Sequence, residues 1–191
     1  MIRKLCLWTV IFVLGASCSR VCAQAIRFDS MQRGQRDITL YAGFGANHKI
    51  PDSAKDRFSF DLIKLRYGVF TSSRTQLGFS LGYGDMDGDR DQDNGALWST
   101  INYRRYFLVR GRTALGYDAS FGVMHFNDRV SELGTKTNFT EQLGLTFEYG
   151  LNEDSSFTLE YVFSHASNAG IKLPNLGINA SMVAVGYSWF R

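Results

Sequence analysis

His165 and Ser167 stand two residues apart in the stretch Phe163-Ser-His-Ala-Ser-Asn-Ala-Gly-Ile-Lys-Leu-Pro-Asn-Leu-Gly-Ile178. In an extended backbone, residues i and i+2 share a face about 6.6 Å apart, within reach of a rotamer-mediated hydrogen bond. A neutral imidazole so placed takes the hydroxyl proton and turns Ser167 into a nucleophile. Asn168, Gly170 and Asn175 follow directly. Glycine lets a backbone approach a substrate closely, and the side-chain or backbone N–H groups of Asn168 are positioned to receive an oxyanion. Taken alone, the same pair also fits a polar strand end at the lipid headgroup level.

Other chemistry is thin. Asp85-Met-Asp-Gly-Asp-Arg-Asp-Gln-Asp-Asn-Gly95 has the acid density of a calcium loop. Counted from Asp85 or Asp89, however, its sixth position is Arg90 or Asn94 instead of Gly, and its twelfth is Ala96 or Thr100 instead of Glu. A solvated loop is the expectation. His48 and His125 lack partners at ligand spacing, so no metal site is expected. The three cysteines, Cys6, Cys18 and Cys22, all lie near the N-terminus, which removes a thiol nucleophile or disulfide framework from the rest of the chain. A net charge of +3 is too small for a nucleic-acid partner.

The elements that must hold His165 and Ser167 repeat with a period of two. Leu77, Phe79, Leu81 and Tyr83 alternate with Gly78, Ser80, Gly82 and Gly84; Phe157, Leu159, Tyr161 and Phe163 alternate with Thr158, Glu160, Val162 and Ser164. Such alternation is the mark of a strand with unlike faces. Eight segments are predicted: 36–46, 57–70, 75–85, 96–109, 113–125, 137–149, 156–166 and 179–190. Short turns near 71–74, 110–112 and 150–155 alternate with long polar loops near 46–56, 86–95, 126–136 and 169–178. That asymmetry belongs to an antiparallel up-and-down transmembrane β-barrel of the bacterial outer membrane. The face alternate to the apolar one carries Gly, Ser, Thr and the charges Lys64, Arg66, Asp118, Glu148 and Glu160. A small barrel is filled by side chains, so small residues and a polar network are expected inside and the aromatics outside. The ending Tyr187-Ser188-Trp189-Phe190-Arg191 places aromatic residues on the last strand, followed by a terminal Arg.

Residues 1–25 have a basic start (Arg3, Lys4), an apolar run from Leu5 to Ala16 and small residues before Ala23 and Ala25. This is a signal-peptide pattern, with the outer-membrane domain expected over 26–191. Removing Arg3, Lys4 and Arg20 brings Lys+Arg from 21 to 18, equal to Asp+Glu. The leader leaves the N-terminus periplasmic, so the seventh strand runs outward and ends with His165 and Ser167 near the outer leaflet.

The string His165-x-Ser167-Asn168-Ala169-Gly170, then Pro174-Asn175-x-Gly177, then a last strand with Gly186-Tyr187, resembles the PagL-type lipid A 3-O-deacylases, also named acyloxyacyl hydrolases. The resemblance implies an outer-membrane serine esterase that removes the 3-O-linked acyl chain of lipid A (lipopolysaccharide), without a cofactor. It implies Ser167 as nucleophile, His165 as base, Asn168 and Gly170 at the oxyanion site and Asn175 in support of the loop. The family has Glu fourteen residues after the catalytic His, where this chain has Asn179. An Asn carbonyl still orients an imidazole but stabilises imidazolium less than a carboxylate does. Glu141 shares parity with Phe139 and Leu143, and a hairpin turn at 150–155 puts it opposite or diagonal to His165. It is expected either to supply the missing charge or to sit solvated among headgroups. Two other readings stay open: a non-catalytic barrel serving as adhesin or structural protein, and an acyltransferase on the same scaffold. A homodimer is compatible with all of them.

Overall fold

The computed structural model describes residues 25–48, 57–88 and 94–191. Among them, eight antiparallel strands follow one another and close on themselves. They are β1 (Arg36–Asn47), β2 (Phe58–Ser72), β3 (Thr75–Gly88), β4 (Asn94–Arg110), β5 (Thr113–Phe126), β6 (Thr137–Asn152), β7 (Ser155–Ser167) and β8 (Ile178–Phe190). β1 pairs with β8, from Asp37↔Phe190 to Asn47↔Ala180, so no sheet edge is left open. Each predicted segment lies within a few residues of an observed strand. Two-residue turns at Ser73–Arg74, Gly111–Arg112 and Glu153–Asp154 mark one end of the barrel. The longer connections, including 127–136 and 168–177, lie at the other. The expected leader, apart from Ala25, falls outside the described residues, as does part of the acidic 85–95 segment.

Closure satisfies the backbone within the sheet, which is what permits strands to cross a bilayer. No helix among the described residues is long and apolar enough to cross one. The predicted parity holds along the strands except at the β4 bulge, where Phe107 and Leu108 are both exposed. Leu40, Ile63, Leu65, Phe79, Leu81, Ile101, Phe121, Leu143, Leu145 and Leu159 are exposed on the outer face, while Arg66, Arg104, Glu148 and Glu160 are buried within.

Three layers fill the interior. At the short-turn end the N-terminal segment folds inward as a plug: Ile26, Phe28 and Met31 pack on Phe70, Tyr106, Ala114 and Phe190. Above it lies an ion network. Arg104 donates to Asp118, Glu148 and Glu160 at 2.5–2.8 Å. Lys64 pairs with Glu160, and Arg66 bridges Asp37 and Gln76. Toward the long-loop end the filling turns apolar, with Leu62, Trp98 and Met182 below Met86, Phe126, Leu133 and Ile178.

The interior differs from the sequence expectation in one respect. Aromatics do point inside: Tyr41, Phe70, Trp98, Tyr106, Phe126 and Phe190 are all buried. They fit because glycine faces the larger rings across the strands. A Cβ on Gly82 would come within 2.3 Å of the Trp98 indole, one on Gly45 within 2.4 Å of Phe60, and one on Gly186 within 2.7 Å of Tyr41. The outer-face period was therefore read correctly, whereas the volume of the lumen depended on which residues meet across strands.

Arg104 is the hub of the ionic layer. Arg104→Ala leaves Asp118 and Glu148 without a cation and Glu160 with Lys64 alone, and removing one side of a buried pair costs about 3–5 kcal/mol. The barrel is expected to lose its heat-resistant compact form on gel electrophoresis at a distinctly lower temperature than the parent. An unchanged transition would show that the network contributes little.

Candidate active site

β7 delivers Phe163, His165 and Ser167 to the outer face at the long-loop end, each alternating with an inward residue: Ser164 and Ala166 are buried while the three are half-exposed. The register sets their neighbours. Glu141 of β6 and Asn179 of β8 lie directly opposite His165 on its two sides, and Phe139 lies opposite Ser167.

Asn179 makes the contact that orients the imidazole. Its Oδ1 lies 2.8 Å from His165 Nδ1. A carbonyl oxygen only accepts, so Nδ1 carries the hydrogen and Nε2 keeps its lone pair for a proton. Gly177 fixes the ring from the loop side. Its φ is +71°, and a Cβ there would stand 2.7 Å from His165 Cε1. Both the left-handed backbone and the flat approach to the imidazole demand glycine at this position.

Glu141 occupies the register position read from the hairpin. It is exposed, and among the described residues no ion pair within 4.0 Å joins it to His165. Ser167 Oγ likewise holds no hydrogen bond among the described residues. Catalytic contacts of this kind often tighten only around substrate.

The loop 168–177 is organised by asparagines. Asn168 is buried and its side chain is fully used. Its Nδ2 donates to Leu133 O at 2.5 Å and Lys172 O at 2.6 Å, and its Oδ1 accepts the Gly170 N–H at 2.9 Å. Asn175 Oδ1 accepts the Asn168 N–H at 2.9 Å. The Asn168 side chain and the amides of Asn168 and Gly170 thus tie the loop together. Between Asn168 and Ile171, whose other amides are bonded, the Ala169 N–H has no acceptor among the described residues, and Ala169 has a φ of 54°. The β5–β6 loop backs the arrangement through the Leu176 N–H to Glu132 O bond of 2.9 Å. Sequence reasoning missed this support: backbone carbonyls carry no residue signature.

From His165 an apolar groove of about 550 Å³ runs over the outer face. It follows two adjacent register rows. One is His165–Glu141–Phe121–Ile101; the other, longer, is Phe163–Leu143–Ala119–Tyr103–Leu77. Ala119 is the small residue among large ones and forms its floor. Four strand spacings make the longer row about 19 Å long. Because Leu77 lies beside the short turn and His165 at the opposite end, the groove descends along the barrel wall from the long-loop end toward the short-turn end.

The arrangement was compared with known proteins. The family model for lipid A 3-O-deacylase (PagL) matches residues 57–188. No curated protein sequence matches the chain. Among solved structures, the outer membrane enzyme PagL is 21% identical, with 78% of this chain and 97% of that chain covered and a TM-score of 0.57. Neisserial surface protein A is 9% identical, with 82% and 98% covered and a TM-score of 0.61. The attachment invasion locus protein Ail of Yersinia pestis is 13% identical, with 84% and 100% covered and a TM-score of 0.52. At these identities the structural likenesses establish the barrel fold alone.

Asn168→Ala removes three side-chain hydrogen bonds, leaving the Lys172 carbonyl and the Gly170 N–H unpaired and Leu133 O with only the 3.3 Å bond from the Thr135 hydroxyl. The expected result is faster cleavage of the 168–177 loop by protease added to intact cells, with the thermal transition of the barrel unchanged. Equal cleavage in parent and variant would contradict the role given to Asn168.

Proposed function

The chain belongs to the lipid A 3-O-deacylase (PagL) family, ester hydrolases on an outer-membrane type of barrel, and we propose that Ser167, His165 and Asn179 perform the hydrolysis at the outer leaflet. Ser167 Oγ attacks the carbonyl carbon of the 3-O-linked acyl ester while its proton passes to His165 Nε2. Asn179 Oδ1, accepting from Nδ1, holds the ring through both protonation states. The tetrahedral intermediate places negative charge on the former carbonyl oxygen. We assign that oxyanion to the unspent Ala169 N–H, with Asn168, Gly170 and Asn175 shaping the turn that presents it. His165 then protonates the departing sugar oxygen, leaving an acyl-Ser167 ester. Water, deprotonated by His165, releases the fatty acid and restores the serine. The observation that carries this reading is the Asn179–His165 hydrogen bond, which sets the tautomer a general base requires.

Glu141 stands across the register from His165 at the head of the groove. Its proposed part is electrostatic, acting on the imidazole through a bridging water. The groove takes the leaving acyl chain. At roughly 1.3 Å advance per carbon, set by ~1.5 Å C–C bonds, its ~19 Å length holds about a dozen or more carbons. The apolar side chains of Ile171 and Leu173, 76% and 82% exposed, flank the loop where it meets lipid. Residues 1–25 are proposed as the export signal that brings the barrel to the outer membrane.

Expressing the chain in a Gram-negative host and weighing its lipid A tests the reading. Loss of one hydroxyacyl chain is expected, absent in Ser167→Ala. Unchanged lipid A in the parent points to a non-catalytic barrel, and added mass to acyl transfer. Glu141→Gln, run beside them, is expected to deacylate several-fold more slowly; parental speed removes Glu141 from the mechanism.

Ala119→Phe fills the floor of the groove. It is expected to lower kcat/KM about tenfold for long-chain esters and little for short ones, measured with a series of acyl lengths. An equal effect on all lengths would place the acyl chain elsewhere.

A further inference from the structure

A second polar cluster faces outward one register row below the His165–Asn179 pair, on the side of β7 away from the groove. Ser181 of β8 lies opposite Phe163 of β7 and Ala46 of β1. Its Oγ is 2.7 Å from His48 Nε2 and 2.8 Å from the Tyr161 hydroxyl. The His48 ring stacks on Phe163 at 6.2 Å and 14°, and the His48 N–H donates to Asn179 O at 2.7 Å. The cluster thus shares one backbone bond with the residue that orients His165.

An interfacial girdle accounts for a tyrosine here. It does not account for a histidine and that tyrosine converging on the Ser181 hydroxyl, on a face where the next outward residues are Leu159, Val183 and Val185. Polar groups on a lipid face are costly unless they are used. The cluster is not a second esterase. Ser181 and Tyr161 lie inside paired strands, whose amides are committed to the ladder and leave no donor for an oxyanion.

What the cluster offers is a reversible hydrogen-bond chain. Either atom of each contact can be the donor, so the far end of the chain, the hydroxyl of half-exposed Tyr161, presents a donor or an acceptor as required. Its natural complement is another uncharged group of both kinds, a hydroxyl. Phe163 stands as a ridge between this cluster and the groove that starts at His165. A lipid with two acyl chains on one sugar, seated with its scissile ester at Ser167, straddles that ridge. One chain enters the groove and its neighbour descends past Ser181.

We propose that Ser181, Tyr161 and His48 form a subsite for the hydroxyl on the acyl chain that remains attached to the sugar. The proposal rests on the deacylase reading for the identity of the lipid, and it makes the enzyme selective for hydroxylated neighbours. Its position, about 6.6 Å below the catalytic row, matches a hydroxyl a few bonds along a chain anchored beside the scissile ester.

The test uses binding, so that it stands apart from turnover. Full-length Ser167→Ala protein in detergent is titrated by native mass spectrometry with two synthetic diacyl glucosamine lipids. They are identical except that the retained chain carries a 3-hydroxyl or lacks it. The hydroxylated lipid is expected to bind about fivefold more tightly. Adding Tyr161→Phe or Ser181→Ala to the Ser167→Ala protein is expected to bring the ratio to one while leaving the affinity for the deoxy lipid unchanged. A ratio of one without those changes, or a fivefold ratio that survives both, overturns the subsite. Cleavage of the same lipids by the parent protein is read separately. A parent that binds selectively but does not cleave sinks the deacylase chemistry and keeps the subsite.

Discussion

The backbone's need for hydrogen bonds in lipid governs everything else in this molecule. Strands can satisfy that need only by pairing on both sides, and the β1–β8 seam completes the ring. Once the ring is closed, residue parity is no longer free. Every odd residue of β7 from Phe157 to Ser167 faces outward and every even one inward, so the position of His165 and Ser167 on the lipid face follows from the same rule that puts Glu160 beside Arg104. An enzyme on this scaffold has its chemistry on the outside because the inside is filled.

That filling is more varied than the alternation implies. A charged layer centred on Arg104 is sandwiched between an apolar plug and an apolar upper lumen. The ion pairs are buried, so their worth lies in mutual satisfaction: each carboxylate needs its cation because water is excluded. The rings above and below them fit through glycine partners on adjacent strands, Gly82 beneath Trp98 and Gly186 beside Tyr41. β7 is held on both sides by β6 and β8 with the apolar upper lumen behind it, which gives His165 a rigid support.

The site combines that rigid strand with a loop whose shape is set by side-chain amides. Asn168 and Asn175 take over backbone hydrogen bonds that a strand would otherwise supply, and the β5–β6 loop contributes carbonyls from below. Asn179 holds His165 without a charge. With Glu141 exposed across the register and out of ion-pair range, the imidazole is oriented by a neutral carbonyl.

Alternation, loop asymmetry and the His165-x-Ser167-Asn168 string were legible in the sequence because each depends on local spacing. A period of two states which face a residue takes, and the hairpin turn puts Glu141 opposite or diagonal to His165. The sequence alone did not decide which of Glu141 and Asn179 touches the imidazole, since both are its register neighbours; side-chain length and rotamer in the folded sheet selected Asn179. Nor did it reveal the rings inside the barrel, the spending of Asn168 on the loop, or the meeting of His48, Ser181 and Tyr161. His48 follows directly on β1, far along the chain from Tyr161 of β7 and Ser181 of β8. Only closure of the barrel brings the first strand against the last, and contacts made across that seam leave no trace in spacing.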